Sequence, residues 1–128
     1  MREILISDSL PKPRFRYSPC VKAGPFFHMA GMIAIDLASG KLVSGGPQAE
    51  TAMILKNLRG ALKDWGLGLD NLVAATIFTT RFEDFSLINK AWEEVFHDGV
   101  IPPARTTVGV AQLPLGATVE IEFRAYKG

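Results

Sequence analysis

The sequence predicts an α+β fold, with two helices packed on one face of a mixed or antiparallel sheet. Leu55, Leu58, Leu62 and Trp65 recur at spacings of three, four and three, the signature of a helix with one apolar side. Residues 118–126 alternate instead: Val119, Ile121, Phe123 and Ala125 against Thr118, Glu120, Glu122 and Arg124, the period of a strand with one buried face. The chain passes through these periods as strands, helix, strand, helix, two strands, an order that suits helices gathered on one side of a sheet.

Each element follows from its residues. Ile4, Leu5 and Ile6 read as a short first strand. Pro11 and Pro13 make residues 10–16 an irregular loop. Residues 26–36 are apolar with Gly31 at their middle, which predicts two strands or one bulged strand. A turn at 38–41 follows, and Gly45, Gly46 and Pro47 lead into the first helix, residues 47–65. Ile54 and Ala61 widen its apolar stripe, Lys56, Arg59, Lys63 and Asp64 take its other side, and Gly66 is a natural C-terminal cap. Residues 72–80 are rich in β-branched and small apolar side chains on both parities, which predicts a strand buried on two faces. The second helix, residues 85–96, carries Phe85, Ile88, Trp92, Val95 and Phe96 as one stripe. Pro102 and Pro103 force an extended entry into a strand over 104–113, and Pro114, Leu115 and Gly116 form the last turn.

A chain of 128 residues fits a single domain, 1–128, with a core large enough to need no disulfide or structural metal. Hydrophobic residues make up 48% and charged ones 21%. The usual charged share is ~25%, so disorder is excluded and the surface is short of charge. Fourteen basic and thirteen acidic residues nearly cancel, which argues against a nucleic-acid or anionic-membrane surface. No apolar run is long enough to span a membrane, and the first residues lack the pattern of a signal peptide. With one cysteine, Cys20, no internal disulfide forms, and a cytoplasmic location is expected.

Catalytic side-chain types are scarce. His28 and His97 share no ligand spacing, and the sequence carries no CxxC, HExxH or phosphate loop, so neither a metal nor a cofactor is expected. Cys20 reads as a small buried hydrophobe. Lys12, Arg14 and Arg16 form the one basic cluster, either a solvated loop or a rim that attracts anions. Phe15, Phe26, Phe27 and Phe82 are candidates for core packing or an apolar wall. Arg105 stands where a proline-stiffened segment enters an apolar strand. An arginine there either pairs with Glu120 or Glu122 of the following strand, or grips a ligand carboxylate with two parallel hydrogen bonds.

The run Ile101-Pro102-Pro103-Ala104-Arg105-Thr106-Thr107-Val108, followed by Leu113-Pro114 and Val119-Glu120-Ile121-Glu122, resembles the C-terminal signature of the Rid family, the reactive intermediate deaminases also called YjgF-like. Tyr17-Ser18, the Gly31 segment, Gln48-Ala49-Glu50-Thr51, Asn57-Leu58 and Asn89 extend the resemblance over the whole chain. It implies a chorismate-mutase-like sheet with two helices, assembled as a homotrimer with clefts between subunits. It also implies hydrolysis of small 2-imino or enamine carboxylic acids to 2-keto acids and ammonia, without metal or organic cofactor. By the same resemblance Arg105 binds the substrate carboxylate and Glu120 positions or activates water, while Tyr17 and Gly31 border the ligand. Thr107 stands where the family often has cysteine, and Ala30 where it often has serine. Thr107 keeps a hydroxyl and a backbone N–H as donors; Ala30 has no side-chain donor. The alternative function is a non-catalytic member that binds a small carboxylate or keto acid as a sensor.

Overall fold

The computed structural model describes residues 1–128. The elements run β1 (Arg2–Leu5), β2 (Cys20–Ala23), β3 (Phe26–Met29), β4 (Ile35–Asp36), β5 (Lys41–Leu42), α1 (Gly46–Asp64), β6 (Leu72–Thr79), α2 (Phe85–Val95), β7 (Ala104–Gly109) and β8 (Val119–Tyr126). Six strands form one sheet in the order β1-β2-β3-β8-β6-β7, and β4 pairs with β5 apart from it. Only β6 and β7 run parallel, with α2 as their crossover; the other pairs are antiparallel. The fold is thus a mixed α+β sheet with two helices, as the periodicities predict.

α1 shows why the residues stop where they do. Gly45 takes φ 115° immediately before it, and Pro47 occupies the first turn, where no N–H is needed. At the other end Gly66 adopts φ 72°. Leu67 N–H then donates to the Leu62 carbonyl (2.8 Å) and Gly66 N–H to that of Lys63 (3.1 Å), satisfying carbonyls that the helix leaves open.

One face of the sheet is packed against the helices. Val119, Ile121, Phe123 and Ala125 of β8 are fully buried. They lie beside Thr79, Ile77, Ala75 and, across a bulge at Val73, Leu72 of β6. Ile54, Leu55, Leu58 and Leu62 of α1 and Ile88 and Trp92 of α2 close over them. Two buried polar side chains tie this layer together. Glu50 of α1 accepts from Thr118 N–H (2.8 Å), Thr118 Oγ1 (2.7 Å) and Val119 N–H (3.2 Å), fixing the helix to the start of β8. Asn57 Nδ2 donates to the Ile35 carbonyl at 2.9 Å and holds β4 onto α1.

The other face is open in the single chain. Ala74, Thr76 and Phe78 of β6 and Glu120 and Glu122 of β8 are half-buried there, and Phe26 and Tyr126 stand edge to face with centroids 5.1 Å apart. The expectation that residues 72–80 are buried on both faces is therefore met on one face only. Residues 26–36 resolve into β3 and β4, the first of the two arrangements expected. β2 was not expected, and the strand expected over 104–113 ends at Gly109. Beyond it, Val110 N–H still donates to the Thr79 carbonyl, but the chain then turns away.

Candidate functional site

Four of the six candidate site residues meet around one cavity of about 530 Å³ on the open side: Tyr17, Ala30, Gly31 and Glu120. Backbone geometry builds it. The chain after β3 bridges back to β8, with Met32 N–H donating to Ile121 O (2.8 Å) and Ile121 N–H to Met32 O (3.0 Å). This lays Gly31 directly across the Glu120 side chain. A Cβ at Gly31 would overlap the carboxylate, lying 2.9 Å from its Cδ, so any larger residue there would push the acid from its present position. The proline-rich segment 8–19 forms the opposite rim, where Lys12 and Arg14 line the mouth and Arg14 donates to the Gly40 carbonyl at 3.2 Å.

Glu120 has no hydrogen-bond partner among the protein's side chains or backbone. Burial pushes its pKa up, and the neighbouring charge of Glu122 adds to the rise. A carboxyl group raised in this way exchanges protons nearer to neutral pH than an exposed glutamate does.

Arg105 and Thr107 lie elsewhere. β7 pairs in parallel with β6, setting Arg105 beside Ala75 and Thr107 beside Ile77, so both point to the helix side. Glu120 and Glu122 point to the other side, and the intrachain ion pair that the sequence left open does not form. Instead the guanidinium sits 5.5 Å from the Phe85 ring centroid and 5.1 Å from that of Trp92. Its Nη2 donates to Asn89 Oδ1 at 2.7 Å. Desolvation lowers its pKa, and the nearby charge of Glu93 works against that effect. One half-buried, oriented cation is therefore left without a carboxylate.

Several contributors were not legible as such. Asn89, Phe85 and Trp92 hold Arg105, although the sequence marks the last two only as helix-stripe residues. Their positions on one face of α2 were readable; the strand that this face meets was not. Of the phenylalanines, Phe27 is in the core, Phe15 lines the cavity, Phe26 is on the open face, and Phe82 stacks on Phe85 at 5.4 Å. Cys20 is buried, its thiol pushed up to about 11 by burial. His28 and His97 are exposed and far apart in the fold's layout, on β3 and after α2.

Fold and site together define a class: a small α+β protein in which an acid-bearing cavity and a stacked arginine occupy opposite faces of one sheet. The chain belongs to the family described as Endoribonuclease L-PSP, which includes the Rid and RutC proteins and whose sequence model matches residues 7–127. A RutC family protein of Aquifex aeolicus is 40% identical, covering 99% of this chain and 100% of its own. The mouse 2-iminobutanoate/2-iminopropanoate deaminase is 33% identical, over 100% of this chain and 93% of its own. Among solved structures, a Rid-family protein of unknown function from Yersinia pestis superposes with a TM-score of 0.93 at 32% identity, covering 99% and 100% of the two chains.

Proposed function

We propose that this protein is a cofactor-independent hydrolase that deaminates small reactive 2-imino or enamine carboxylic acids to 2-keto acids and ammonia. In this reading a single domain, residues 1–128, assembles in the cytoplasm as a homotrimer, and each cleft is shared by two subunits. The observation that carries the reading is the split of the site residues. Arg105 and Thr107 of one chain are on the far side of the sheet from Tyr17, Ala30, Gly31 and Glu120 of the same chain. A complete site then needs the arginine edge of one subunit against the glutamate cavity of its neighbour. The half-exposed apolar side chains of the open face, Phe26, Phe78, Val108 and Tyr126, supply surface for such packing. The relative named as a deaminase supports the reaction class.

The chemistry asks little of the protein. Arg105, held near the Phe85 and Trp92 rings and by Asn89, grips the substrate carboxylate through the rest of its fork. Water adds to the imine carbon as Glu120 takes its proton, and the C=N electron pair moves to nitrogen. Glu120 returns that proton to the nitrogen, then carries the carbinol hydroxyl's proton to it as well, and as C=O forms the C–N bond breaks and ammonia leaves. One water enters, one ammonia leaves, and nothing is oxidised. Thr107 offers a hydroxyl donor near the reacting group. Binding of a small carboxylate without turnover is the second reading, favoured by Ala30, which brings no hydroxyl to the cavity.

The test generates 2-imino acids in situ with an amino-acid oxidase and semicarbazide as competing trap. The wild type should divert imine to keto acid, and Arg105→Ala should abolish the diversion while the assembly persists. Arg105→Lys should lose roughly 10–150-fold, because losing one charged hydrogen bond costs about 1.5–3 kcal/mol. Keto-acid binding with no diversion for any side chain would select the second reading, and unchanged kinetics in Arg105→Lys would remove the carboxylate clamp.

A further inference from the structure

We propose that Leu115 sets the substrate preference of the Glu120 cavity, selecting 2-imino acids with a branched or long apolar side chain. The inference deepens the reading above and rests on it. Leu115 is the only non-glycine residue of the chain with positive φ (58°, with ψ 23°). That left-handed conformation crowds any residue bearing a Cβ, and glycine or asparagine adopts it more readily. The turn around it is fixed by Pro114, by Gly116 at φ 71° and by Ala117 N–H donating to the Pro114 carbonyl at 3.0 Å. Yet the strained position holds a leucine that is 55% exposed and lines the cavity wall. Strain of this kind is retained where the side chain serves a purpose in a site.

The rest of the cavity says what that purpose is. Leu10, Ile35, Leu37 and Phe15 share the lining with Leu115, so the cavity that holds Glu120 offers a substantial hydrocarbon surface. A three-carbon imino acid of about six heavy atoms fills at most about 180 Å³, at the roughly 30 Å³ that a liquid water claims. The single chain leaves about 530 Å³ open before a neighbour's edge covers part of it, so a larger side chain has room. A second carboxylate gains little here. Lys12 and Arg14 are matched in number among the lining residues by Asp8 and Glu120, and the apolar surfaces offset none of the cost of dehydrating a charge.

The test compares kcat/KM for imines generated from leucine, alanine and aspartate, with wild type, Leu115→Gly and Leu37→Ser. The wild type should prefer the leucine-derived imine over the alanine-derived one by about tenfold or more, since each methylene in an apolar pocket is worth roughly that. Leu115→Gly should shrink this preference by about fivefold or more, chiefly through KM, with a melting temperature unchanged or raised because glycine relieves the strained turn. Leu37→Ser, in an unstrained position, should shrink it too. A wild-type ratio near one, or a ratio that survives Leu115→Gly, overturns the proposal and leaves the deaminase reading standing. If the wild type diverts no imine, the deaminase reading fails, and calorimetry with 4-methyl-2-oxopentanoate and pyruvate decides the preference. Tighter binding of the larger acid, lost in Leu115→Gly, upholds it; equal Kd values overturn it.

Discussion

Glu120 pays for its position with an unfavourable charge. Burial strips solvent from it, Glu122 adds repulsion, and both effects raise its pKa. A carboxyl group whose pKa is raised by folding holds its proton more tightly in the folded state. Its contribution is most favourable below the unfolded value, near 4.5, and is lost as pH rises through the folded one. Glu120→Gln should therefore stabilise the protein at neutral pH, and the gain should vanish below pH ~4. Urea midpoints at the two pH values measure this, and a variant less stable than wild type at pH 7 would show that the acid is better solvated than its burial implies. The same substitution should remove turnover, since glutamine accepts no proton. Part of this site was legible in the chain. The alternation of β8 already placed Glu120 opposite Val119 and Ile121. The orientation of Arg105 was not, because residues 104–109 carry no apolar alternation and only the parallel register with β6 settles their faces.

At the scale of elements, the join between α1 and β8 depends on one carboxylate. Glu50 is buried to 2% exposure and accepts from Thr118 and Val119. Glu50→Ala leaves those donors without a partner and should cost about 2–4 kcal/mol, read as a lower urea midpoint with unchanged slope at fixed protein concentration. Glu50→Gln, which keeps an acceptor, should lose less than half as much. A loss under 0.5 kcal/mol, roughly the effect of a surface substitution, would mean that water replaces the carboxylate. Elements with long periodic patterns were the readable ones, α1 and β8 above all. β2 escaped because Cys20–Ala23 is four residues between Pro19 and Gly24, too short for a period to show. Pairing with β1 and β3, remote information in the chain, makes it a strand.

At the scale of the whole molecule, the split site has a direct test. If each cleft takes Arg105 from one subunit and Glu120 from the next, neither Arg105→Ala nor Glu120→Gln is active alone. Mixing the two and allowing subunits to exchange should regenerate about a quarter of the clefts, because head-to-tail contacts of a ring pair the two intact halves at that frequency. Mixed activity equal to the sum of the separate variants would place both residues' roles within one chain. The low share of charge in the composition, 21%, is consistent with an open face meant for contact, although composition alone could not say which face that would be.

The strand order carries a consequence for how the chain is made. β8 lies between β3 and β6, yet it leaves the ribosome after both. The segment through β3 can form its meander early but has no neighbour on one edge until residues 119–126 emerge, roughly 5–20 s later at ordinary elongation rates. The β6–α2–β7 unit, by contrast, closes locally. Synthesis therefore produces two half-sheets with facing unpaired edges, and the last strand is the clasp that joins them. The nascent chain is most vulnerable to wrong pairing just before it acquires the strand that bears Glu120.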